Sequence, residues 1–328
     1  MSVLRISDLT IDYRLGQGSV RAVDHVSLEI EAGEAVGIVG ESGCGKTTLG
    51  LSVPLLLPAN ASVSDGHIVL NGESLIGRSE EEMNHLRWKS VAFVFQGAMN
   101  ALNPVHRIDK QILEAIQTHE PETSKDDAYA RVLELIELVG ISPSRAKSYP
   151  HEFSGGMRQR AMIAMSLACR PSLLIADEPT TALDVISQAQ ILALLGELRS
   201  QENLSLVMIS HDLSAIKKVC DRIVVMYAGV IVESGPTDTV LRRKNGVVTA
   251  AHPYTRALMG AHPDLSGERI LAPGLAGNPP DLSKPITGCR FAARCPEVME
   301  ICRTQTPPTV TITPGHSVTC HLSVRSAS

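Results

Sequence analysis

Aromatic side chains are scarce in this 328-residue chain, which has only four Phe, five Tyr and one Trp. So few rings argue against a platform on which nucleic-acid bases stack. The formal net charge of −5 also provides no basic surface for a polyanion. We therefore expect no nucleic-acid partner.

Long apolar runs are also missing. The most apolar stretch, residues 51–57, contains Pro54 and is far shorter than the ~20 residues that cross a bilayer. The first five residues lead straight into a strand-like pattern, without the features of a signal peptide. We expect a cytoplasmic protein whose hydrophobic content of 44% supports a well-buried core.

The most informative feature present is a glycine-rich segment between a strand-like apolar run at 35–39 and a helical pattern that opens with Thr48. It has the G-x-x-x-x-G-K-[ST] spacing of a phosphate-binding loop and consists of Gly40-Glu41-Ser42-Gly43-Cys44-Gly45-Lys46-Thr47. Its glycines let backbone N–H groups point at phosphate oxygens. Lys46 can reach the β- and γ-phosphates and the Thr47 hydroxyl can ligate Mg²⁺, so the segment predicts binding of a nucleoside triphosphate.

Four more motifs follow in order. A strand-like run at 91–95 ends at Gln96, and a small-residue helical pattern is preceded by Phe153-Ser154-Gly155-Gly156. Apolar runs then lead into Asp177-Glu178-Pro179, with Asp184 shortly after, and into Ser210-His211-Asp212. An Asp at the carboxyl end of a strand can hold Mg²⁺, and the adjacent Glu178 is a natural general base for an attacking water.

In this order the motifs resemble the nucleotide-binding domain of ATP-binding cassette (ABC) transporters, over about residues 1–250. The resemblance implies an α/β P-loop NTPase fold with a RecA-like core, an antiparallel β subdomain and a helical subdomain at about 98–155. Alternating helix and strand patterns at 156–235 agree with a parallel sheet.

The resemblance also implies roles for individual residues. Glu178, His211 and Gln96 would be catalytic, with Asp177, Thr47 and Gln96 on the magnesium ion. Tyr13 would stack on adenine. The segment Ser154-Gly155-Gly156 would bind ATP that the opposite subunit holds. Asp184 would also be a nucleotide-binding residue.

Four of the seven cysteines cluster near the end of the chain, spaced C-x₅-C-x₆-C-x₁₇-C. Four thiolates can ligate an iron–sulfur cluster or a structural Zn²⁺, and single buried thiols are common. The spacing lacks paired C-x₂-C knuckles, which disfavours zinc without excluding it. The metal therefore stays open on the residues alone.

A narrower resemblance covers residues 251–328, which begin Ala251-His252-Pro253-Tyr254-Thr255, and the segment Asn100-Ala101-Leu102-Asn103-Pro104. Both are similar to ATPases of oligopeptide/dipeptide importers. The prolines at 263, 273, 279, 280 and 285 predict a small irregular C-terminal extension. The resemblance implies that this extension holds a [4Fe–4S] cluster on Cys289, Cys295, Cys302 and Cys320.

As a whole, the resemblance implies an ATPase subunit on the cytoplasmic face of the membrane that powers peptide import. Its partners would be a second ABC ATPase in a heterodimer, two permeases and an extracytoplasmic peptide-binding protein. Nickel, glutathione or an oligosaccharide is an alternative cargo. A soluble ABC ATPase of DNA repair or translation is disfavoured by the single cassette without sustained heptads, and an iron–sulfur sensor by the presence of Glu178 and His211.

Overall fold

Two large β-sheets of different kinds organise the described residues, and a third sheet has only two strands. The structure, a computed structural model, describes residues 2–16, 18–97, 101–202, 204–244, 247–261 and 277–326. In chain order the elements up to residue 140 are β1 (Ser2–Leu15), β2 (Gly18–Glu31), β3 (Ala35–Val39), α1 (Lys46–Ser52), β4 (Ala61–Leu70), β5 (Glu73–Ser74), α2 (Glu80–Leu86), β6 (Val91–Val94), α3 (Ile108–His119) and α4 (Lys125–Leu138).

The elements that follow begin with short 3₁₀ turns at Pro143–Arg145 and Pro150–Glu152. They continue as α5 (Gly155–Ser166), β7 (Leu173–Asp177), α6 (Val185–Glu202), β8 (Ser205–Ile209), α7 (Leu213–Val219), β9 (Arg222–Tyr227), β10 (Val230–Pro236), α8 (Thr237–Val240), β11 (Arg243–Lys244), β12 (Val247–Val248), α9 (Pro253–Gly260), a 3₁₀ turn (Ala292–Arg294), α10 (Glu300–Thr304), β13 (Thr309–Thr313), β14 (His316–Thr319) and α11 (His321–Ser326).

The N-terminal sheet is antiparallel, with strand order β2-β1-β4-β5. Its last hairpin turns at Asn71 and Gly72, whose φ angles of +50° and +83° suit the tight turn that this dipeptide predicts. The antiparallel β subdomain expected from the sequence is therefore present.

The central sheet has the order β13-β14-β10-β9-β3-β8-β7-β6, and its five strands from β9 to β6 are parallel. Every residue of β3, β7 and β8 is buried, which explains why these strands appear in the sequence as unbroken apolar runs. The carboxyl ends of parallel strands meet at one edge of a sheet. That edge holds the phosphate loop after β3, Gln96 after β6, Asp177 at the end of β7 and His211 after β8.

The helical region between β6 and β7 also agrees with the sequence pattern. Helix α4 buries Ala128, Val132, Leu135 and Ile136 on one face, as its apolar spacing predicts. Residues 98–100, which include Asn100 of the predicted segment, lie outside the described residues.

The described part of the predicted C-terminal extension, residues 251–261 and 277–326, differs from the irregular segment that its prolines predict. Residues 277–291 contain no helix or strand, but β13 and β14 form a hairpin that joins the central sheet, where Glu233 of β10 pairs with Val318. The alternating Thr-Val-Thr-Ile-Thr of β13 is the sequence pattern that favours this strand. Pro263 and Pro273 lie outside the described residues, and the domain boundary at 250 stays a prediction.

Among the described residues, no helix is both long and apolar enough to span a membrane.

Candidate functional site

The phosphate loop (residues 40–47) curls from the end of β3 into the first turn of α1. It contains the predicted residues Gly40, Ser42, Gly43, Cys44, Gly45, Lys46 and Thr47, with Thr48 next in α1. Lys46 is 8% exposed, and its Nζ donates to the carbonyl oxygens of Gly40 and Glu41, both at 2.9 Å. Gly45 has φ +103°, and a Cβ there would lie 2.3 Å from the Ala22 carbonyl oxygen, so only glycine fits.

Thr47 and Asp177 meet beside this loop, although 130 residues separate them in the chain. The Thr47 hydroxyl donates to Asp177 Oδ2 at 2.7 Å. Asp177 is 1% exposed, and its burial raises the pKa of this carboxyl. Its second oxygen, Oδ1, is buried without a hydrogen-bond partner. A hydroxyl beside a carboxylate with one unused oxygen is a donor set that fits Mg²⁺.

Glu178 follows at once and is held by three donors. Its Oε1 accepts the backbone N–H of His211 at 3.1 Å and lies 2.8 Å from His211 Nδ1, while Oε2 accepts the Thr181 hydroxyl at 2.9 Å. The Glu178 side chain is 10% exposed and that of His211 is 68% exposed. Glu178 also has φ +50°, a strained conformation of the kind that concentrates at functional sites.

Gln96 and Tyr13 are the two remaining residues predicted near the nucleotide. Gln96 is exposed in the turn after β6, at the carboxyl edge of the central sheet. The Tyr13 hydroxyl is 3.1 Å from Thr48 Oγ1, and its half-buried ring packs against the apolar core shared by both sheets. This contact places Tyr13 beside the helix that follows the phosphate loop, and its role toward adenine stays a prediction.

Ser154 and Gly156 begin helix α5. The Ser154 hydroxyl caps the helix by accepting the Met157 N–H at 3.3 Å. Gly156 is buried against Ser187, and a Cβ at Gly156 would lie 2.7 Å from Ser187 Oγ. Gly155 between them is partly exposed.

Ser187 also binds Asp184, which it reaches with its N–H at 2.9 Å and its hydroxyl at 2.7 Å. These two hydrogen bonds lower the pKa of Asp184. Ser187 therefore joins Gly156 to Asp184, a role that no sequence motif indicated. In the described part of the chain, the hydrogen bonds of Ser154 and Asp184 stay among these neighbours and do not reach the phosphate loop.

The four clustered cysteines come together as well. All four line one small cavity between α9, α10 and α11, and every cysteine of the chain is a free thiol. Burial raises the pKa of Cys289 to about 11 and also raises the pKa values of Cys295 and Cys320. Among the described residues, however, no group of three or more His, Cys, Asp or Glu side chains is arranged to hold a metal ion. The predicted [4Fe–4S] or zinc site is thus not supported by the ligand arrangement.

No sequence motif predicted one further contact at the phosphate loop. Arg294 and Tyr254 of the C-terminal extension both bind Glu41, a residue at a variable position of the phosphate-loop motif. Because the motif leaves this position unspecified, nothing in the sequence pointed to a partner more than 200 residues away.

Comparison with known proteins places this geometry in context. The family model described as "ABC transporter" matches residues 23–181, and the model described as "Oligopeptide/dipeptide transporter, C-terminal region" matches residues 232–302. A probable peptide ABC transporter ATP-binding protein of Sinorhizobium fredii is 43% identical, covering 97% of this chain and 94% of the relative. The oligopeptide transport ATP-binding protein OppD of Escherichia coli is 42% identical, covering 97% and 93%. The dipeptide transport ATP-binding protein DppD of Bacillus subtilis is 43% identical, covering 99% and 96%.

Solved structures agree with the fold. A dimeric ATP-binding cassette in a post-hydrolysis state, bound to ADP and Pi, superposes with a TM-score of 0.64 at 27% identity, covering 71% of this chain and 98% of that one. The protein cbiO1 of Clostridium perfringens, part of the ABC transporter complex cbiONQ, gives a TM-score of 0.63 at 26% identity, covering 72% and 89%.

Proposed function

Because this chain belongs to the family of ABC transporter ATP-binding proteins, we propose that it hydrolyses ATP to power the import of oligopeptides or dipeptides. The observation that carries the proposal is one continuous group of side chains at the carboxyl edge of the parallel strands. This group consists of Lys46, Thr47, Asp177, Glu178 and His211. Lys46 donates to a carbonyl oxygen of the phosphate loop, Thr47 donates to Asp177, and Glu178 contacts His211.

The chemistry requires no covalent intermediate. When ATP binds, Lys46 exchanges the carbonyl oxygens of Gly40 and Glu41 for β- and γ-phosphate oxygens. Mg²⁺, when bound, would neutralise phosphate charge, and Thr47 and Asp177 are the residues that would hold it. Glu178 accepts a proton from the attacking water, the bond from the γ-phosphorus to the bridging oxygen breaks, and ADP and phosphate result. His211, fixed on Glu178, orients that water.

The working assembly contains two cassettes. Gly156 and Asp184 both lie against Ser187, and Ser154 and Gly155 directly precede Gly156. Their placement away from the hydrogen bonds of the phosphate loop supports their use on a nucleotide held by the opposite cassette. A relative of known structure was itself solved as a dimer. We propose a heterodimer with a second ABC ATPase at the cytoplasmic face of the membrane, below two permeases served by a peptide-binding protein.

Reconstitution with the permeases tests the cargo. Phosphate release by the complete complex should rise when short peptides are added together with the binding protein. Stimulation by a sugar or a metal chelate and by no peptide would retain the importer and reject peptides as its cargo. If the chain hydrolyses ATP at its full rate without any membrane partner, and adding permeases and cargo does not change that rate, the soluble alternative would be favoured.

The [4Fe–4S] cluster on the extension is a separate proposal. It rests on the resemblance of the C-terminal residues to oligopeptide/dipeptide importer ATPases. Cys289, Cys295, Cys302 and Cys320 line one cavity, but the described side chains there are not arranged to hold a metal ion. Protein purified without oxygen should be brown and contain about four irons per chain. One zinc and no iron would favour a structural zinc site, and neither metal would leave four buried thiols.

A further inference from the structure

Glu41 in the phosphate loop is bound through all three of its polar groups. Its backbone N–H donates to the Tyr254 hydroxyl at 2.9 Å. Its two carboxylate oxygens accept from the two terminal nitrogens of Arg294, at 2.7 and 2.9 Å. Its carbonyl oxygen accepts from Lys46 Nζ at 2.9 Å. Glu41 therefore links the C-terminal extension directly to the lysine that is expected to bind phosphate.

The extension residues that bind Glu41 are themselves firmly placed. The Arg294 side chain is only 4% exposed, and it also donates to the Tyr227 hydroxyl at 3.3 Å. Tyr254 is fully buried, with its ring 4.5 Å from that of Tyr227 and 5.4 Å from that of Phe291. A bidentate guanidinium–carboxylate pair on such a rigid base fixes both distance and orientation.

The charge of Glu41 explains why the loop needs this partner. A carboxylate in a loop that receives a polyphosphate repels its ligand, because like charges in a partly buried site are weakly screened. Arg294 neutralises that carboxylate, and Tyr254 holds the backbone of the same residue. We propose that Arg294 and Tyr254 are positioning residues of the nucleotide site, supplied by the C-terminal extension, so that ATP affinity depends on the docked extension. This inference rests on the phosphate role proposed for the loop.

The test is a double-mutant cycle on ATP affinity in the full-length chain. Equilibrium binding of Mg²⁺-ATP is measured in a Glu178→Gln background, which slows hydrolysis during the titration. Arg294→Met leaves Glu41 unpaired and should weaken binding roughly ten-fold, the size expected for loss of a charged hydrogen-bonded pair. Adding Glu41→Gln to Arg294→Met removes the repelling charge and should bring binding back to within about three-fold of Glu41→Gln alone.

A merely structural role predicts a different result. If Arg294 only held the extension together, the double variant would bind ATP as weakly as Arg294→Met, and that result would overturn the proposal. Unchanged affinity in Arg294→Met would overturn it as well. Tyr254→Phe removes one hydroxyl and keeps the buried ring. This variant tests the contact of the extension with Glu41 even if Arg294→Met fails to fold. It should weaken ATP binding about three-fold.

Two reference variants separate this inference from its premise. Glu297→Gln breaks an ion pair with Arg256 within the extension and should leave ATP affinity unchanged. An equal loss in Glu297→Gln would mean general loosening and would reject the inference. Lys46→Ala should abolish binding, and if it does not, the phosphate role of the loop itself is wrong. Loss in Lys46→Ala with no effect of Arg294→Met would reject only the role of the extension.

Discussion

One oxygen of Glu178 accepts the backbone N–H of His211 and also lies 2.8 Å from the imidazole Nδ1 of the same residue. The two residues come from neighbouring parallel strands, with Glu178 after β7 and His211 after β8. This double contact fixes the carboxylate plane at the carboxyl edge of the sheet. A water bound to this carboxylate would lie at the same edge of the sheet as the phosphate loop.

The first prediction concerns proton transfer from that water. Glu178→Gln keeps the shape of the side chain but removes the base, so ATP turnover by the assembled transporter should fall by about 10²- to 10⁴-fold. ATP binding should persist, and the ATP-bound dimer should accumulate. Phosphate release and gel filtration measure the two effects. Turnover near that of the wild type would show that another group is the base.

The second prediction concerns Asp177 and Mg²⁺. Burial raises the pKa of Asp177, so its ionisation opposes folding: the folded state holds the proton longer, and stability is lost as pH rises through the folded pKa. At pH 7 without nucleotide, Asp177→Asn should therefore raise the melting temperature. With Mg²⁺-ATP at a hundred times its Kd, the wild type should gain about 2.7 kcal/mol, and the variant should gain clearly less.

Asp184→Asn provides the control of opposite sign. Hydrogen bonds from Ser187 lower the pKa of Asp184, so its charged form favours folding above the pKa of the unfolded chain and this contribution is lost as pH falls. Its replacement should lower the melting temperature slightly. A rise of the melting temperature in both variants would point to a general charge effect and contradict the assignment of Asp177.

The third prediction concerns the packing of α5 on α6. Gly156→Ala forces a Cβ to within 2.7 Å of Ser187 Oγ, which should cost about 1–3 kcal/mol of stability and displace Ser154. ATPase activity of the complex should fall at least ten-fold, while ATP binding to the phosphate loop persists. Activity assays and nucleotide titration separate these outcomes, and a loss of binding equal to the loss of activity would contradict the expectation.

Gly196→Ala is the matched control on α6. A Cβ at Gly196 meets nothing within 4 Å, so the substitution should stabilise the helix by about 0.5–1 kcal/mol and leave activity unchanged. The two glycine variants thus differ in the sign of the stability change.

The fourth prediction concerns Tyr13. If the ring stacks on adenine, Tyr13→Phe should bind ATP within about two-fold of wild type, although it loses the contact with Thr48. Tyr13→Ala should bind about ten-fold more weakly, in line with the ~1–3 kcal/mol of a ring stacked on a base. Equal affinities of all three proteins in an ATP titration would place adenine elsewhere.

The meeting of Thr47 and Asp177 was predictable because each follows an apolar run that the sequence marks as a parallel strand. Parallel strands end at a common edge, so chemistry at their carboxyl ends is brought together by the sheet itself. The same reasoning located Gln96 and His211. The pair of Arg294 and Glu41 was not predictable, because it depends on how the extension packs, which no local pattern encodes. The β13–β14 hairpin was not predicted, because the prolines before it indicated an irregular segment and only the five residues of β13 alternate in the way that favours a strand.

That hairpin also changes what the central sheet presents at its border. Without β14, strand β10 would offer a row of unpaired N–H and C=O groups, a template for pairing with other chains. With the hairpin in place, the outermost strand is β13, a five-residue edge whose exposed positions are Thr309, Thr311 and Thr313. Short edge strands are poor templates for aggregation. The hairpin thus leaves the central sheet with a short outer strand and covers the longer strand β10.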